Sequence, residues 1–472
     1  MAYRPLAALL LILPLAVADL RAEEQATTAN DRTALSLTVY QGNLTLVSEE
    51  RRLTLRRETE RLAVVDVPPA IMPQTVLATG TPADSLRVTG QVFETGVLSP
   101  EAILAASVGK TVEVIRTNPA TGAETLVPAE VLRANGREAL VRIDGGIRTV
   151  STDRIAFGAL PPGLRAAPTL VLDLAGGGEA ASGQLVLRYL TGGLNWRADY
   201  VAELNAEETA IQLAGWVSLT NDSGVPFDNA KLRLVSGSIN RESSGLDPRA
   251  KEMTVQAMVA ADAPAQSVVS DLHVFDFNRM ISVGGNETRQ LSLLSATRVP
   301  VAKEYRLVSN GAHYGQQLSG ETVDNPSIRF RFTNEAADGL GRGLPAGTMR
   351  FYASDSGGPI LVGEDAVSYT APDEKLFVTV GKAVDIVSER RQTDFRRDGL
   401  PRGVSETAHA ITLRNAKATD VSVSVIERIP GDWTMLAESQ PHSKKSAGEA
   451  SWDVTVPAGG KAELAYRVRV KF

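Results

Sequence analysis

The chain has 472 residues, more than one ordinary hydrophobic core accommodates, so its length predicts two or three domains. Hydrophobic residues make up 43% of the chain and charged residues 22%, as in soluble globular proteins. The net charge of -6 argues against a nucleic-acid partner, which requires a strongly basic surface. The lack of cysteine excludes disulfides, thiol catalysis, thiolate metal sites and the lipid-bearing cysteine of a lipoprotein.

Residues 1–22 are predicted to be a signal peptide. Arg4 supplies the positive charge, and residues 6–17 form an apolar stretch. Ala16-Val17-Ala18 is a small-residue cleavage signature, so cleavage is expected after Ala18, with Ala22 as a second candidate. The apolar stretch is short for a transmembrane span, and a retained membrane anchor is the alternative. We therefore predict an exported, soluble protein of the periplasm or the extracellular space, without an integral membrane segment after cleavage.

Residues 23–98 are predicted to form an N-terminal β domain. Strand-like alternation covers residues 35–47, and Pro68-Pro69 breaks the pattern after residues 62–67. Residues 49–61 carry a dense run of arginine and glutamate. Because the two signs alternate, we interpret this run as a solvated edge strand rather than a basic binding patch.

Residues 99–163 are predicted to form a small SH3-like β barrel with one short helix. Ser99-Pro100-Glu101 is typical of a helix start, and Gly109 follows the expected helix end. Short strand-like segments follow, with turn residues such as Asn135-Gly136 between them. These segments are residues 111–116, 130–133, 139–143 and 148–150. Pro161-Pro162-Gly163 marks the expected boundary.

Residues 168–472 are predicted to form a β-sandwich domain, which makes the whole chain an all-β, multi-domain protein with one or two short helices. Residues 241–266 lack strand periodicity and predict a flexible insertion, with a possible short helix at 251–260. The three glycines at 176–178 predict a hairpin turn rather than a phosphate cradle, since no Lys-Ser/Thr follows them. Three strand ends, at Asn221, Asn334 and Asn415, share an asparagine before a turn, a residue that tolerates left-handed geometry.

The stretch 183–240 shows the clearest alternation in the chain. Its third strand places apolar and polar residues on opposite faces. The apolar set is Ile211, Leu213, Val217 and Leu219, and the polar set is Gln212, Ser218 and Thr220. Trp196, Tyr200 and Trp216 are assigned to the same apolar patch, as core residues rather than as a binding platform.

Asp355-Ser356-Gly357-Gly358-Pro359 is similar to the nucleophile segment of chymotrypsin-like proteases, but the required histidine context is missing. We interpret the segment as the polar tip of a hairpin. The four histidines show no metal-ligand spacing and are predicted to lie on the surface or at an interface: His273, His313, His409 and His442. The acidic pairs Glu207-Glu208 and Glu364-Asp365 are assigned to turns.

Two charged stretches remain. Arg390-Arg391 and Arg396-Arg397 flank Phe395, a mixture found in single-strand nucleic-acid sites. Acidic residues interrupt this stretch, so we interpret it as a solvated charged strand pair. In residues 464–472 apolar side chains alternate with Arg and Lys, which predicts the last strand of a sandwich.

Several spaced motifs of the second half carry a family resemblance. They are Leu187-Arg188-Tyr189-Leu190, Leu194-Asn195-Trp196-Arg197-Ala198-Asp199-Tyr200, residues 217–221, Asn229-Ala230-Lys231-Leu232, Leu344-Pro345-Ala346-Gly347, Phe351-Tyr352 and residues 466–472. With these motifs, residues 168–472 resemble a bacterial exported family known as a domain of unknown function, which also occurs in mucoidy-inhibitor-like proteins. The resemblance implies an all-β fold and an envelope location, and it supplies no catalytic residues.

These features predict an exported envelope protein with a non-enzymatic structural or binding role, a scaffold whose partner is an envelope protein or a polysaccharide. We predict no catalytic, cofactor-binding or metal-binding residues, and no cofactor. Two alternatives stay open. One is a hydrolase of envelope glycans whose carboxylates the fold brings together in a concave cleft. The other is an outer-membrane β-barrel that ends in the last strand.

Overall fold

The computed structural model describes residues 23–57, 59–82, 86–96, 98–158, 164–175, 181–237, 239, 264–269, 271–309, 311–399 and 403–472. Several predicted features lie outside the described residues. They are the signal peptide at 1–22, the boundary at 161–163, the glycines at 176–178, the possible helix at 251–260 and most of the insertion at 241–266.

The described residues form one α-helix, α1 (Pro100–Ala106), and thirty-two strands. The strands are β1 (Glu23–Thr27), β2 (Arg32–Tyr40), β3 (Leu44–Leu55), β4 (Thr59–Val65), β5 (Leu77–Thr81), β6 (Val88–Glu94), β7 (Thr111–Thr117), β8 (Glu124–Asn135), β9 (Glu138–Ile143), β10 (Gly146–Ser151), β11 (Ile155–Ala156), β12 (Thr169–Leu174), β13 (Ala181–Thr191), β14 (Leu194–Leu204), β15 (Ala210–Asn221), β16 (Phe227–Ser236), β17 (Ala265–Val269), β18 (Leu272–Val283), β19 (Glu287–Pro300), β20 (Ala302–Val308), β21 (Glu321–Asp324), β22 (Ser327–Thr333), β23 (Gly347–Asp355), β24 (Gly358–Val367), β25 (Lys375–Lys382), β26 (Ile386–Asp398), β27 (Val404–Asn415), β28 (Val421–Arg428), β29 (Asp432–Glu438), β30 (Ser443–Ser446), β31 (Glu449–Val456) and β32 (Lys461–Lys471). Short 3₁₀ turns occupy Ala29–Asp31, Pro73–Thr75, Thr152–Arg154, Ala312–Tyr314 and Ala336–Asp338. The predicted all-β, multi-sheet class is confirmed. In the described part of the chain, no helix combines the length and apolar character needed to cross a membrane.

The chain divides into two compact units. The first holds the described parts of Met1–Leu37, Leu46–Gly193 and Ser223–Ala230, and the second holds those of Thr38–Thr45, Leu194–Asp222 and Lys231–Phe472. Strands β2, β3 and β16 contribute residues to both units. The domain limits expected from the sequence, at residues 98, 163 and 168, are not tested by this division and stay predictions.

The first unit contains two sheets of its own. A four-stranded sheet has the order β1-β4-β12-β6, with β1 parallel to β4. A five-stranded antiparallel sheet, β10-β9-β8-β7-β11, surrounds a small apolar core that includes Val131, Val141 and Leu104 of α1. The helix begins where the sequence predicts, because the Ser99 side chain accepts a hydrogen bond from Ala102 N at 3.0 Å.

Buried charges correct the interpretation of residues 49–61 as a solvated edge. Glu49 and Arg51 of β3 are fully buried and pair at 3.0 Å. Arg32 donates to Glu49 Oε2 at 2.7 Å, and Arg51 Nη1 donates to the carbonyl oxygens of Thr27 and Val65 at 3.1 and 3.0 Å. Both charges are compensated by groups that are distant in sequence, so they can point into the interior of the protein. The expectation of solvation was therefore wrong for both residues.

The second unit contains three larger sheets. One has the order β19-β15-β14-β23-β24. The other two, β25-β22-β20-β28-β31-β30 and β21-β26-β27-β32-β29, enclose one apolar core and form a sandwich. Leu464, Tyr466, Val468 and Val470 of β32 point into this core, which confirms the predicted final sandwich strand.

The three asparagine corners are buried and work differently from the prediction. Asn221, Asn334 and Asn415 are at most 2% exposed. Their side-chain amides donate to carbonyl oxygens of facing loops, for example from Asn334 to Ala371 O at 2.9 Å and from Asn415 to Pro457 O at 3.2 Å. None of the three has a positive φ, so each corner depends on amide hydrogen bonds rather than on left-handed backbone.

Candidate functional site

The segment around Ser356 is the hairpin tip that the sequence predicts. It joins β23 to β24, and Ser356 is exposed. Asp355 Oδ1 accepts a hydrogen bond from Gly357 N at 2.7 Å and so stabilises the turn. The adjacent pair Glu364-Asp365 lies within β24, which corrects its assignment to a turn.

The histidines are more buried than the sequence analysis expected. His409 is 1% exposed and His273 is 8% exposed, so the surface prediction was wrong for these two. His273 Nδ1 bonds Tyr369 OH at 2.9 Å, and His442 Nδ1 bonds Glu438 Oε2 at 2.9 Å. Within the ranges that the structure describes, no cluster of three or more His, Cys, Asp or Glu side chains could hold a metal ion.

A buried polar network crosses the sandwich core and corrects the interpretation of Arg390 as solvated. Arg390 is 8% exposed and forms an ion pair with the fully buried Glu427. Tyr314 OH donates to Glu427 Oε2 at 2.7 Å and lies 3.0 Å from Tyr466 OH, which Arg390 Nη1 also contacts at 3.3 Å. The network joins three strands, drawn from the two sheets of the sandwich, and the 3₁₀ turn at Ala312–Tyr314.

The electrostatics of this network match a structural role. Burial alone raises the pKa of Glu427, but the charge and hydrogen bonds of Arg390 outweigh burial and hold it below its usual value. Burial, together with the positive charge of Arg390, lowers the pKa of His409 to about 4. His409 is therefore neutral at physiological pH, and the charged groups beside it are enclosed and paired.

A cavity of about 900 Å³ lies in the first unit, beside α1 and the end of β10. Its lining includes Glu101, Arg137, Asp153 and Phe157. Glu101 lies in the first turn of the helix, where a hydrogen bond to its own backbone N–H and another to Ser99 lower its pKa. A lowered pKa is the opposite of what a general acid needs, so Glu101 is not suited to that role.

The sheet β19-β15-β14-β23-β24 presents a polar outward side with a tryptophan near its middle. Trp216 of β15 is 38% exposed and lies opposite Asp199 of β14 on one side and Ser292 of β19 on the other. We call this surface the Trp216 face. Its outward side chains include Arg197, Asp199, Val201, Glu203, Gln212, Ala214, Trp216, Ser218, Thr220, Thr288, Gln290, Ser292, Arg350, Tyr352 and Glu364.

The opposite side of the same strands is core. Trp196 and Tyr200 are 2% and 0% exposed, which agrees with their assignment to the core. Trp196 packs edge-on against Phe275, and Tyr200 OH donates to Pro345 O at 2.8 Å. Trp216 has the opposite parity along its strand, so its assignment to the same patch was wrong.

A network of four charges fixes the polar groups of the Trp216 face. Asp199 Oδ2 accepts from Ser218 Oγ at 2.8 Å and from Arg197 Nε at 3.1 Å. Arg350 Nη1 donates to Asp199 Oδ1 at 3.1 Å, while its Nε contacts Glu364 Oε2 at 2.9 Å. Burial alone raises the pKa of Asp199. The hydrogen-bond donors around it outweigh burial and hold this pKa below its usual value, so the carboxyl stays ionised. Arg350 is thereby held between two carboxylates, whereas Arg197, which is 72% exposed, has a single contact to Asp199.

A β-bulge lies directly beside the tryptophan. The register of β15 against β19 shifts between Gly215 and Trp216, so that Gly215 pairs with Leu294 and Trp216 pairs with Ser292. A Cβ at Gly215 would come within 2.9 Å of Leu294 Cγ, so the close packing under the bulge requires glycine. Bulges re-aim side chains and are frequent beside functional sites. The exposed position of Trp216 is therefore built into the sheet.

Sequence reasoning found part of this surface. Arg197 and Asp199 belong to a motif that carried the family resemblance, although no role was assigned to them. The outward direction of Trp216 was available from the parity of residues 211–219. Its convergence with Arg350, 134 positions further along the chain, depends on the parallel pairing of β14 with β23, which no local pattern encodes.

A search of curated proteins finds none that matches this chain. A family model described as "Domain of unknown function (DUF4139)" matches residues 185–472, which include Trp216, Asp199 and the whole sandwich. The match covers more than half of the chain, and it begins within β13 rather than at residue 168. The protein belongs to the DUF4139 family.

Proposed function

We propose that the protein is an exported, non-enzymatic binding protein of the bacterial envelope and that the Trp216 face is its binding surface. The observation that carries the proposal is the contrast among the four tryptophans. Trp196, Trp433 and Trp452 are 2%, 6% and 1% exposed, whereas Trp216 is 38% exposed in the middle of a sheet. Tryptophan and arginine dominate the binding energy of recognition surfaces, and both are present here in fixed positions.

Preorganisation supports the same surface. The hydrogen bonds of Asp199 and the contact with Glu364 restrict Arg350 and Ser218 before any ligand arrives. A ligand that contacts these groups therefore loses little side-chain entropy on binding.

The alternative of a glycan hydrolase has weaker support. A glycosidase needs one carboxyl whose pKa is raised, so that it can donate a proton. The described carboxyls with a shifted pKa are all shifted downward: Glu24, Glu101, Asp199, Glu287, Glu304, Asp324, Asp394 and Glu427. These acids act as ion-pair partners or as caps, which is the behaviour of a binding or structural protein.

Export is part of the proposal. The basic start, the apolar stretch and the small-residue signature Ala16-Val17-Ala18 support cleavage and release to the periplasm or beyond. We also propose, on the motifs quoted above, that mucoidy-inhibitor-like proteins share this domain. N-terminal sequencing of the protein recovered from the periplasm tests export. A mature chain that begins at residue 19 or 23 is expected, and an uncleaved chain in the cytoplasm would contradict export.

Sedimentation with isolated bacterial envelopes tests the binding surface. Purified wild-type protein is expected to co-sediment, and Trp216→Ala is expected to bind about tenfold or more weakly, as for the loss of an aromatic anchor. Phe377→Ala is the matched control, since Phe377 is a 44% exposed aromatic residue on β25, in another sheet. Equal binding by wild type and Trp216→Ala would refute the proposed surface.

A further inference from the structure

We propose that the ligand of the Trp216 face is an envelope glycan chain, with a pyranose ring stacked on the indole of Trp216. This inference rests on the proposed function, because it names the ligand class of the same surface. Three properties of the face carry it: its charge balance, its hydrogen-bonding groups and the surroundings of the tryptophan.

The four charges of the network around Asp199 cancel one another. Arg197 and Arg350 carry two positive charges, and Asp199 and Glu364 carry two negative charges within one connected network. Each arginine of this network lies beside a carboxylate. A strongly charged ligand that bound one of these groups would therefore be repelled by its neighbour. The balanced network therefore favours a ligand that is uncharged where it contacts the tryptophan.

The neutral side chains of the face both donate and accept hydrogen bonds. Ser292 lies beside Trp216 and is exposed, as is Gln290 on the same strand. Thr220 and Thr288 bond each other across the strands at 3.0 Å. Sugar hydroxyls also donate and accept, so this set of groups can pair with them in either direction. The C–H groups on one face of a pyranose ring complement the negative face of an indole.

The surroundings of Trp216 distinguish a glycan from a protein partner. Protein interfaces bury their aromatic anchors in a core from which charged residues are depleted. Trp216 instead has the ionised Asp199 directly opposite and small polar residues next to it. Its strand is hydrogen-bonded on both sides, so a partner strand cannot add to the sheet at this position.

Treated envelopes separate the ligand classes. One sample of isolated envelopes is digested with proteinase K. A second sample is treated with periodate, which cleaves sugars that carry vicinal diols, and with lysozyme, which cleaves the peptidoglycan backbone that lacks them. Both samples are then sedimented with the purified protein. We expect binding to survive proteinase K, to fall to background after the glycan-degrading treatment, and to be about tenfold weaker for Trp216→Ala on untreated envelopes. Circular dichroism confirms that the variant is folded.

Each outcome decides the question. Any other combination of results contradicts a glycan ligand. Loss of binding after proteinase K alone identifies a protein ligand, and binding that survives both treatments identifies a lipid. Loss of binding after each treatment excludes a glycan chain that is free of protein. In those cases the proposed function stands as long as Trp216→Ala binds untreated envelopes more weakly than Phe377→Ala does. If the two variants bind equally well, the proposed function fails as well.

Discussion

Acid is expected to destabilise the sandwich of the second unit through His409. Burial and the charge of Arg390 lower the pKa of this imidazole to about 4, whereas the ordinary value is 6.5. Between these two pH values the unfolded chain binds a proton that the folded chain does not bind. Since the unfolded state then binds more protons, the free energy of unfolding falls as the pH falls through this interval.

The size of the effect follows from the two pKa values. The difference between 6.5 and about 4, at about 1.4 kcal/mol per pH unit, gives a loss of about 3 kcal/mol. The groups that face His409 are Arg390, Glu427, His313, Tyr314, Tyr466 and Thr407. His313, whose pKa is also lowered by burial and Arg390, adds loss in the same direction. Glu427 has a lowered pKa and contributes only below its ordinary value of 4.5.

Urea unfolding at a series of pH values, followed by the fluorescence of Trp433 and Trp452 in the sandwich core, measures the effect. His409→Gln removes the titrating group and is expected to flatten most of the pH dependence between about pH 6.5 and 4.5. His442→Gln, a half-buried histidine beside Glu438, is the control that keeps it. A wild-type stability that is constant over this interval, or an unchanged slope in His409→Gln, would refute the reasoning.

Three further predictions concern other parts of the structure. Arg390→Ala and Glu427→Ala each leave one buried charge unpaired and are expected to lower the free energy of unfolding by about 3–5 kcal/mol. Denaturant unfolding measures this loss, and a loss below about 1 kcal/mol would show that the ion pair is not enclosed. Gly363→Ala places a methyl group 2.0 Å from Val380 O, so its melting temperature is expected to fall by several degrees, and an unchanged value would contradict the close approach of β24 and β25. Trp216→Phe is expected to remove most of the fluorescence that acrylamide quenches, because Trp216 is the 38% exposed tryptophan, and a wild-type quenching curve would contradict this exposure.

The strands were predictable because a half-buried strand alternates polar and apolar residues. That signal located β15 and β32 and gave the correct buried face for both. The helix start at Ser99 was equally readable, since capping is a local interaction. These features depend only on neighbours along the chain.

The buried charges could not be read from local pattern. Arg390 and Glu427 are 37 positions apart and belong to different sheets of the sandwich. A charged residue in a strand is ordinarily solvated, and it becomes internal only when the fold supplies its partner. The same reason explains Arg51, which is paired with Glu49 on its own strand but completed by carbonyl groups from β1 and β4.

The candidate surface lies between these two cases. The outward direction of Trp216 was encoded in strand parity, but its large apolar side chain favoured the core by composition. The partner Arg350 comes from a strand that pairs in parallel with β14, and such pairing depends on the whole topology.

Hydroxyl-radical footprinting with and without isolated envelopes tests the central claim most directly. Oxidation of each tryptophan is measured by mass spectrometry, with the buried Trp433 as the internal reference. The account predicts that envelopes protect Trp216 from oxidation and leave the oxidation of Trp433 unchanged. Equal oxidation of Trp216 in bound and free protein would contradict the account.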